Sequence, residues 1–577
     1  MSTPSNPINL ASIGKEDFLP SIFARLESNC SVTMLEECHA AAPVTATGGD
    51  LRRLVDVARR GIRGAAVKPG DRCALLAENG IRWIAANLAI MAEGLICVPL
   101  YARQEPSELT AMIADCEASL LLCGTLELRD GLAKVCKTLP PALLFQDVFS
   151  SSATALVRVD PPAPRQCSAP TIILYTSGTS GDSKGVVLTV GNVAHMLECT
   201  SSRLDLLMEG RSGHGLSSQD RVYHYLPFCF AGSWILLLTS LLRGSRLTLN
   251  TALTSLATEL PDAVPDYVLN VPALLERMRR GVDGQIESRG GLAKTIYRNA
   301  KRAVDRRQSS PEASMSAGDG FWLWMANSFV FPKIRKKMLG GRIRALICGS
   351  APLAIETQHY FQMLGIPVLQ VYGLTETTAI CTMDDPRDVE AGRVGPAIPG
   401  VEMRLGENDE ILVGGPNVFT RYWNRPQETA AVLKDGWFHT GDQGEVNVAG
   451  NWRVAGRLKN LVILSSGHNI APEPLEDMLL QQIPGAVQMI VIGNGRGYLT
   501  AIVCGQVTES SAQAGVDAVN RALPHYKQIR AFHLESAALT VESGLLTANG
   551  KLKRDAIMAR FADEIAEMYE SRAQVAS

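Results

Sequence analysis

Hydrophobic and polar positions alternate along the first 165 residues in a pattern that predicts strands separated by helices. The apolar run 72–77 predicts a strand, residues 83–92 predict a helix, and the run 95–100 predicts a second strand. Strand, helix and strand at this spacing are typical of a parallel βαβ unit. Two further apolar runs, 171–175 and 186–188, predict strands on either side of a small polar loop.

The pattern changes twice further along the chain. Residues 281–320 are polar and basic and interrupt the α/β alternation, which resumes at 343–347. After Glu410, short strand-like pieces predict a small antiparallel, barrel-like section. The predicted fold is α/β, with a large N-terminal domain of α/β subdomains at 1–458 followed by a small α+β domain at 459–577.

Composition places the chain among ordinary soluble globular proteins. Its 577 residues are 46% hydrophobic and 20% charged, and the net charge of −2 gives no electrostatic reason to expect a nucleic acid partner. The thirteen cysteines lack metal-binding spacing, which predicts a reducing, cytoplasmic location. No signal peptide is apparent in residues 1–10, and the longest apolar run, 234–242, is too short to span a bilayer.

The loop between the two later strands has the composition of a phosphate-binding site. Glycines allow the backbone to approach a ligand closely, and hydroxyls and a lysine supply donors suited to a polyphosphate. The loop is not a Walker A sequence, because Gly185 replaces the hydroxyl residue that would follow the lysine. A flexible surface hairpin is the alternative interpretation. The candidate phosphate-binding residues are Thr176, Ser177, Gly178, Thr179, Ser180, Gly181 and Lys184.

Four further motifs follow this loop in order. They are Tyr-Gly-Leu-Thr-Glu-Thr at 372–377, Gly-Trp-Phe-His-Thr-Gly-Asp at 436–442, Gly-Arg-Leu-Lys at 456–459 and Asn-Gly-Lys at 549–551. The ordered set resembles the adenylate-forming (AMP-binding) superfamily, which includes acyl-CoA synthetases, luciferases and the adenylation domains of peptide synthetases. The resemblance covers nearly the whole chain. It implies ATP, Mg²⁺ and coenzyme A, and a carboxylate that is first adenylated and then transferred to a thiol.

The resemblance assigns catalytic roles to Thr176, Glu376 and Lys551. Glu376 is the candidate magnesium ligand, because Mg²⁺ is commonly held by carboxylates and phosphates. Lys551 is the candidate for stabilising negative charge in the adenylation transition state, with a surface lysine in a basic tail as the alternative. Asp442 and Arg457 are expected to hold the ribose. The other expected nucleotide contacts are Gly349, Ser350, Tyr372, Gly373 and Thr375. For Tyr372 and for the loop of Gly349 and Ser350, core packing is the alternative.

The resemblance also implies a mobile C-terminal domain and an acyl tunnel. Lys459 occupies the hinge position, and Gly467 and His468 lie where the coenzyme A channel is expected. The apolar segment 226–238 suits an acyl tunnel that includes Phe230 and Trp234, although Trp234 could equally be an ordinary core residue. Amino-acid substrates are disfavoured, because Ala231 stands where their adenylation domains carry an aspartate for the ammonium group.

An insertion after residues 270–272 favours the long-chain branch of the superfamily. The predicted activity is a fatty-acyl-CoA synthetase for medium to long acids. Two alternatives remain at this point. One is a fatty-acyl-AMP ligase that loads an acyl carrier protein. The other is a non-catalytic protein that binds an adenylate or an acyl-CoA.

The same insertion is strongly basic. Residues 277–344 contain sixteen Lys/Arg and five Asp/Glu, together with Phe-Trp-Leu-Trp at 321–324. Cations and indole rings favour the surface of an anionic bilayer, which predicts peripheral attachment at the inner face of the membrane. The alternative is that the aromatic side chains pack the insertion onto the large domain and the cations form a solvated helix face.

Overall fold

Two large sheets, covered by helices, form the framework of the chain before residue 400. The computed structural model describes residues 16–38, 42–150, 159–177, 183–209, 219–309, 316–540, 543–546 and 550–573. The strands of this part are β1 Thr33–Cys38, β2 Val44–Thr47, β3 Arg72–Leu76, β4 Ile96–Leu100, β5 Leu120–Cys123, β6 Ala142–Leu144, β7 Pro170–Ser177, β8 Ser183–Thr189, β9 Arg221–His224, β10 Arg246–Asn250, β11 Tyr267–Asn270, β12 Ala345–Cys348, β13 Val368–Tyr372 and β14 Thr382–Met383. The helices are α1 Phe18–Ser28, α2 Gly48–Arg63, α3 Ile81–Ala92, α4 Pro106–Asp115, α5 Leu126–Val135, α6 Phe145–Val148, α7 Val190–Met208, α8 Ala231–Arg243, α9 Leu256–Ala263, α10 Pro272–Arg289, α11 Gly291–Ser309, α12 Ala317–Met325, α13 Phe331–Leu339 and α14 Ile355–Met363.

Five of the six strands between residues 400 and 458 form a small antiparallel sheet that is open. The six strands are β15 Glu402–Leu405, β16 Glu410–Gly414, β17 Arg421–Tyr422, β18 Leu433–Lys434, β19 Trp437–Val446 and β20 Trp452–Arg457, with helix α15 Pro426–Val432. The sheet has the order β15-β16-β19-β18, with β20 also paired to β19, and β17 belongs to another sheet. The expected barrel-like section is therefore corrected to an open sheet, because among the described residues β15 at one edge pairs with neither β18 nor β20. A series of short strands in the sequence does not determine which edges meet.

The two large sheets are mainly parallel. Their orders are β17-β8-β7-β4-β3-β5-β6 and β14-β13-β12-β11-β9-β10-β1-β2. Strands β3 and β4 pair in parallel and flank α3, so the predicted βαβ unit is confirmed. Buried apolar residues of α3, α8 and both sheets share one core, as expected for parallel strands covered by helices. The α/β class is confirmed.

The C-terminal part is a small α+β unit. Its strands are β21 Val462–Ile463, β22 Asn469–Ile470, β23 Ala486–Ile492, β24 Leu499–Gly505 and β25 Ile529–Glu535, and its helices are α16 Pro472–Gln482, α17 Glu509–Arg521, α18 Arg554–Arg560 and α19 Ala562–Ala573. Strands β23, β24 and β25 form one sheet, and each of its faces carries its own apolar cluster. A separate core is what a domain requires. The exact boundary after Leu458 stays a prediction.

The basic insertion is helical. Helices α10 to α13, with a π-helical segment Ala326–Val330 between α12 and α13, follow β11. Buried residues such as Tyr297, Ala300 and Phe331 attach these helices to the face of the eight-stranded sheet. The polar composition of residues 281–320 therefore marks amphipathic helices on the surface of the large domain.

Two expectations from composition can be compared with the structure. All thirteen cysteines lie within the described residues, and none of them forms a disulfide. Within the same ranges, the helices are too short or too polar to cross a bilayer.

Trp234 lies in the main core. Its side chain is fully buried, and its indole Nε1–H donates to Asn87 Oδ1 at 3.1 Å. Asn87 in α3 is itself buried and also contacts Cys97 Sγ at 3.2 Å. A buried indole whose N–H has a partner contributes a large apolar area without an unsatisfied donor.

We expect Trp234→Ala to lower the free energy of unfolding by about 3–5 kcal/mol, because it leaves a cavity and removes the donor to the buried Asn87 Oδ1. Trp324, whose side chain is 59% exposed, is the matched control. Trp324→Ala should change the free energy of unfolding by no more than about 0.5 kcal/mol. Urea titration followed by circular dichroism measures both. Equal, small effects of the two substitutions would contradict the core position of Trp234.

Candidate active site

The two strands of the predicted phosphate loop form the hairpin β7–β8. Thr176 lies opposite Lys184, so both side chains are at the base of the loop. The expected contacts Gly178, Thr179, Ser180 and Gly181 lie outside the described residues, as does the side chain of Ser177. Lys184 forms an ion pair with Glu428 of α15, and its Nζ is 5.5 Å from the centre of the Tyr422 ring.

Glu376 is held by residues from the segment between β16 and β18. The Tyr422 hydroxyl donates to Glu376 Oε1 at 2.8 Å, and the Phe419 N–H donates to the Glu376 carbonyl at 2.8 Å. Tyr422 belongs to β17, which pairs with β8 opposite Val186. This pairing brings the carboxylate of Glu376 to the same side of the site as Lys184.

Asp442 is the centre of a hydrogen-bonded group. Its Oδ1 accepts from Arg457 Nε at 2.7 Å, and its Oδ2 accepts from the Tyr372 hydroxyl at 2.7 Å. Asp442 and Arg457 are direct cross-strand partners on β19 and β20, and the Asp442 side chain is only 5% exposed. Burial raises the pKa of Asp442, while Arg457, the Tyr372 hydroxyl and Lys551 act in the opposite direction. The three expected nucleotide contacts Tyr372, Asp442 and Arg457 are therefore brought together.

The other expected nucleotide contacts follow the ends of neighbouring parallel strands. Gly349 and Ser350 come directly after β12, and Ser350 is exposed with a positive φ of 73°. Gly373 comes directly after β13, and a side chain there would collide with the Ala379 carbonyl oxygen. Thr375 begins the 3₁₀ turn Thr375–Thr377. Ligands of open α/β sheets bind at this carboxyl edge.

Two lysines from beyond β20 add positive charge to the site. Burial and Arg457 lower the pKa of Lys551, whereas Asp442 and Glu376 raise it. Part of the Lys551 side chain is nevertheless exposed to solvent. Burial, followed by the nearby cations Arg457 and Lys184, lowers the pKa of Lys459 to about 8. Arg457, Lys184, Lys459 and Lys551 thus lie near Asp442 and Glu376, and such a group of cations suits a polyanionic ligand.

The remaining predicted residues lie apart from this cluster. Gly467 and His468 are in the exposed turn between β21 and β22, where the His468 ring stacks on Tyr526 at 4.2 Å. Phe230 precedes α8 and its ring is 6.0 Å from that of Tyr101. Their roles in the coenzyme A channel and the acyl tunnel, and that of Trp234, stay predictions.

A mainly apolar cavity of about 130 Å³ lies beside Phe230. It is at the carboxyl ends of β3, β4 and β9, and Phe228 and Cys229 of the apolar segment contribute to its wall. Among the described residues, neither Phe230 nor Trp234 lines it. The cavity therefore adds Trp83 and Tyr101 to the candidates for acyl contacts.

Sequence reasoning missed Tyr422 and Glu428. Tyr422 binds Glu376 from 46 positions away, and Glu428 binds Lys184 from still further along the chain. No periodicity or motif spacing connects such residues, so only the pairing of β17 with β8 could have identified them.

The arrangement fits nucleotide chemistry with a magnesium ion. Within the described residues no group of three or more His, Cys, Asp or Glu side chains could hold a metal alone. One carboxylate combined with phosphate oxygens and water is a usual Mg²⁺ environment, and Glu376 beside Lys184 would provide that carboxylate. The cations are placed to neutralise phosphate charge.

Comparison with known proteins gives matches along most of the chain. Residues 26–423 match the AMP-binding enzyme family, and residues 459–573 match the AMP-binding enzyme C-terminal domain. The chain is 27% identical over 558 residues to the long-chain-fatty-acid–CoA ligase FadD15 of Mycobacterium bovis, covering 89% of this chain and 90% of that protein. It is also 27% identical over 587 residues to long chain acyl-CoA synthetase 3 of Arabidopsis thaliana, covering 89% and 85%.

Solved structures with the same fold include two enzymes with bound nucleotides. O-succinylbenzoate coenzyme A synthetase of Bacillus subtilis, in complex with AMP, has a TM-score of 0.71 at 21% identity and covers 94% of this chain and 97% of its own. ATP-bound MatB from Rhodopseudomonas palustris has a TM-score of 0.70 at 23% identity and covers 94% and 99%. At this identity the likeness concerns the fold alone. With the family match over residues 26–423, the chain belongs to the AMP-binding enzyme family.

Proposed function

We propose that this protein is an ATP-dependent fatty acid–CoA ligase that activates medium to long acids through an acyl-adenylate. The observation that carries the proposal is the meeting of Lys551 with Asp442 and Glu376 in one cleft. The names of the relatives from Mycobacterium bovis and Arabidopsis thaliana support a long-chain fatty acid as the substrate.

In the first half-reaction, a carboxylate oxygen of the acid attacks the α-phosphorus of ATP. The bond to the β-phosphate breaks, and pyrophosphate leaves. Asp442 and Arg457 bind the ribose, while Thr176 and Lys184 bind the triphosphate, with Lys184 leaving its exposed pair with Glu428. Lys551 donates to the α-phosphate oxygens as their charge grows. Magnesium bound at Glu376 would reduce the repulsion between phosphate groups and the incoming carboxylate.

In the second half-reaction, the sulfur of coenzyme A attacks the acyl carbonyl carbon. The acyl–oxygen bond to AMP breaks, AMP leaves with the electron pair, and the thiol proton passes to solvent. Lys459 is the proposed hinge, because it lies in the 3₁₀ turn directly after Arg457. Rotation there would withdraw Lys551 and bring Gly467 and His468 towards the thiol.

A panel assay tests the activity. Purified protein with ATP and Mg²⁺ is given short, medium and long fatty acids, with an amino acid as the matched control. Each acid is tested with coenzyme A and with an acyl carrier protein. We expect thioester on coenzyme A from medium and long acids, with equal AMP release, and none from the amino acid. Thioester on the carrier protein alone would favour the acyl-AMP ligase. Nucleotide binding without turnover would favour a non-catalytic protein.

Lys551→Ala separates the two half-reactions. We expect acyl-AMP formation to fall by roughly 10²–10³-fold, because one preorganised charge is lost from the transition state. Thioester formation from supplied acyl-AMP should be little changed. Lys553→Ala is the control. The Lys553 side chain is 37% exposed, and its ion pair with Glu108 is long, at 4.0 Å. Pyrophosphate release and thioester formation measure the two steps. Unchanged adenylation in Lys551→Ala would refute its proposed role.

Peripheral attachment to a membrane is a second proposal, favoured by three exposed aromatic side chains. Phe321, Trp324 and Phe329 are 52%, 59% and 53% exposed. Their rings form a continuous patch, with centres 6.4 Å apart for Phe321 and Trp324 and 6.2 Å for Trp324 and Phe329. Trp322, in contrast, packs towards the core. Packing of the insertion onto the large domain thus uses Trp322 and leaves the aromatic patch to solvent.

Positive charge flanks the aromatic patch. Helix α13 follows it directly and carries exposed Lys333, Lys336 and Lys337, while α11 packs against α12 and carries exposed Arg302 and Arg307. Each such cation near an anionic leaflet contributes roughly 1 kcal/mol, and indole rings favour the headgroup region. The proposed occupant of the patch is therefore an anionic bilayer.

Liposome co-sedimentation tests this proposal. We expect binding to anionic vesicles at low salt, and weaker binding to neutral vesicles or at high salt. Trp324→Ala should reduce the bound fraction. Val448→Ala, which removes an exposed apolar side chain from the turn between β19 and β20, should not. Binding that is independent of lipid charge, or equal in both variants, would contradict attachment through the aromatic patch.

A further inference from the structure

The segment that carries Lys551 is fixed on its C-terminal side. Leu552 forms an isolated β-bridge with Leu546, and the Lys553 N–H donates to the Leu545 carbonyl at 2.9 Å. Helix α18 then begins at Arg554, three residues after Lys551. A shift of the first turn of α18 would therefore also shift the backbone at Lys551.

Arg554 attaches this first turn to α16. Its Nη2–H donates to Glu476 Oε2 at 2.6 Å, and the same nitrogen is 3.7 Å from Glu473 Oε1. The other oxygen of Glu476 accepts from the Val491 N–H at 2.7 Å. The Glu476 side chain is 7% exposed and that of Arg554 is 19% exposed, so the pair is largely shielded from water. A shielded, charge-assisted contact of this kind permits little displacement.

Helix α16 also contacts the strand that carries Arg457. Glu473 Oε1 accepts from Asn460 Nδ2 at 2.6 Å, just after Lys459. Gly456 has a φ of 157°, and a side chain there would lie 2.9 Å from Glu473 Oε2. Because Gly456 precedes Arg457, α16 touches both the start of the nucleotide cluster and the segment of Lys551. The carboxylates of α16 therefore link the segment after Arg457 to the helix that begins three residues after Lys551.

We infer that Arg554, clamped by Glu476 and Glu473, is a positioning residue for Lys551 in acyl-AMP formation. This inference rests on the role proposed above for Lys551. Arg554 itself touches neither cleft carboxylate in the hydrogen bonds that the structure gives it; it acts by holding the segment of Lys551 on α16. Lysine is a poor replacement, because its ammonium is carried on a flexible stem and is not held in position as a planar guanidinium is.

The test compares Arg554→Lys and Glu476→Gln with Arg560→Lys. Arg560 is on the same helix and is 59% exposed, with only an i,i+4 contact to Glu564 at 3.8 Å. In the first two variants we expect kcat of acyl-AMP formation to fall roughly ten- to a hundredfold with little change in the KM for ATP, because a misplaced charge is a poor catalyst. Thioester formation from supplied acyl-AMP should be little changed, because the proposed role of Lys551 belongs to the adenylation step alone. Arg560→Lys should change neither step.

The remaining outcomes distinguish the positioning role of Arg554 from the catalytic role proposed for Lys551. Loss of adenylation in Lys551→Ala but not in Arg554→Lys and Glu476→Gln would overturn the clamp and leave the role of Lys551 intact. Normal adenylation in Lys551→Ala would refute that role first. Equal loss of both half-reactions in a folded Arg554→Lys would assign Arg554 a general structural role. If Arg554→Lys fails to fold, Glu476→Gln alone decides, since glutamine keeps an acceptor for the Val491 N–H.

Discussion

The pairing of Asp442 with Arg457 across β19 and β20 is the interaction on which the rest of the site depends. A carboxylate this deeply buried is tolerated only when its charge is paired and its oxygens accept hydrogen bonds. Arg457 and Tyr372 satisfy one oxygen each. Since Tyr372 ends β13 of the eight-stranded sheet, this one carboxylate joins that sheet to the small antiparallel sheet. The chain then turns at Lys459 directly after the same pair.

Mutual repulsion among the cations around this pair explains why the site suits an anion. The pKa of Lys459 is lowered to about 8 and that of Lys551 is also lowered, with burial as the first cause and Arg457 as the next in both. A bound polyphosphate would remove part of this repulsion. The pair between Lys184 and Glu428 offers little resistance, because both side chains are partly exposed and such pairs contribute little free energy.

Much of the fold was predictable because its signals are local. The apolar runs of β3 and β4 and the helical pattern of α3 identified a real βαβ unit, and the motif residues Tyr372, Asp442 and Arg457 lie together. The open small sheet was not predictable, since local patterns do not specify edge pairing. The contacts of Glu376 with Tyr422 and of Arg554 with Glu476 join residues 46 and 78 positions apart. Only the folded chain brings such partners together.

A cleft in which both half-reactions take place needs a different arrangement of charged side chains for each of them. Adenylation develops negative charge on the phosphate, and Lys551 lies where it can meet that charge beside Asp442 and Glu376. Attack by the thiol instead requires that the sulfur can reach the acyl carbonyl carbon. It depends less on a cation beside the phosphate oxygens. His468, by contrast, is stacked on Tyr526 in an exposed turn. The proximity of Lys551 to Asp442 and Glu376 fits the first half-reaction, and the rotation proposed at Lys459 would serve the second.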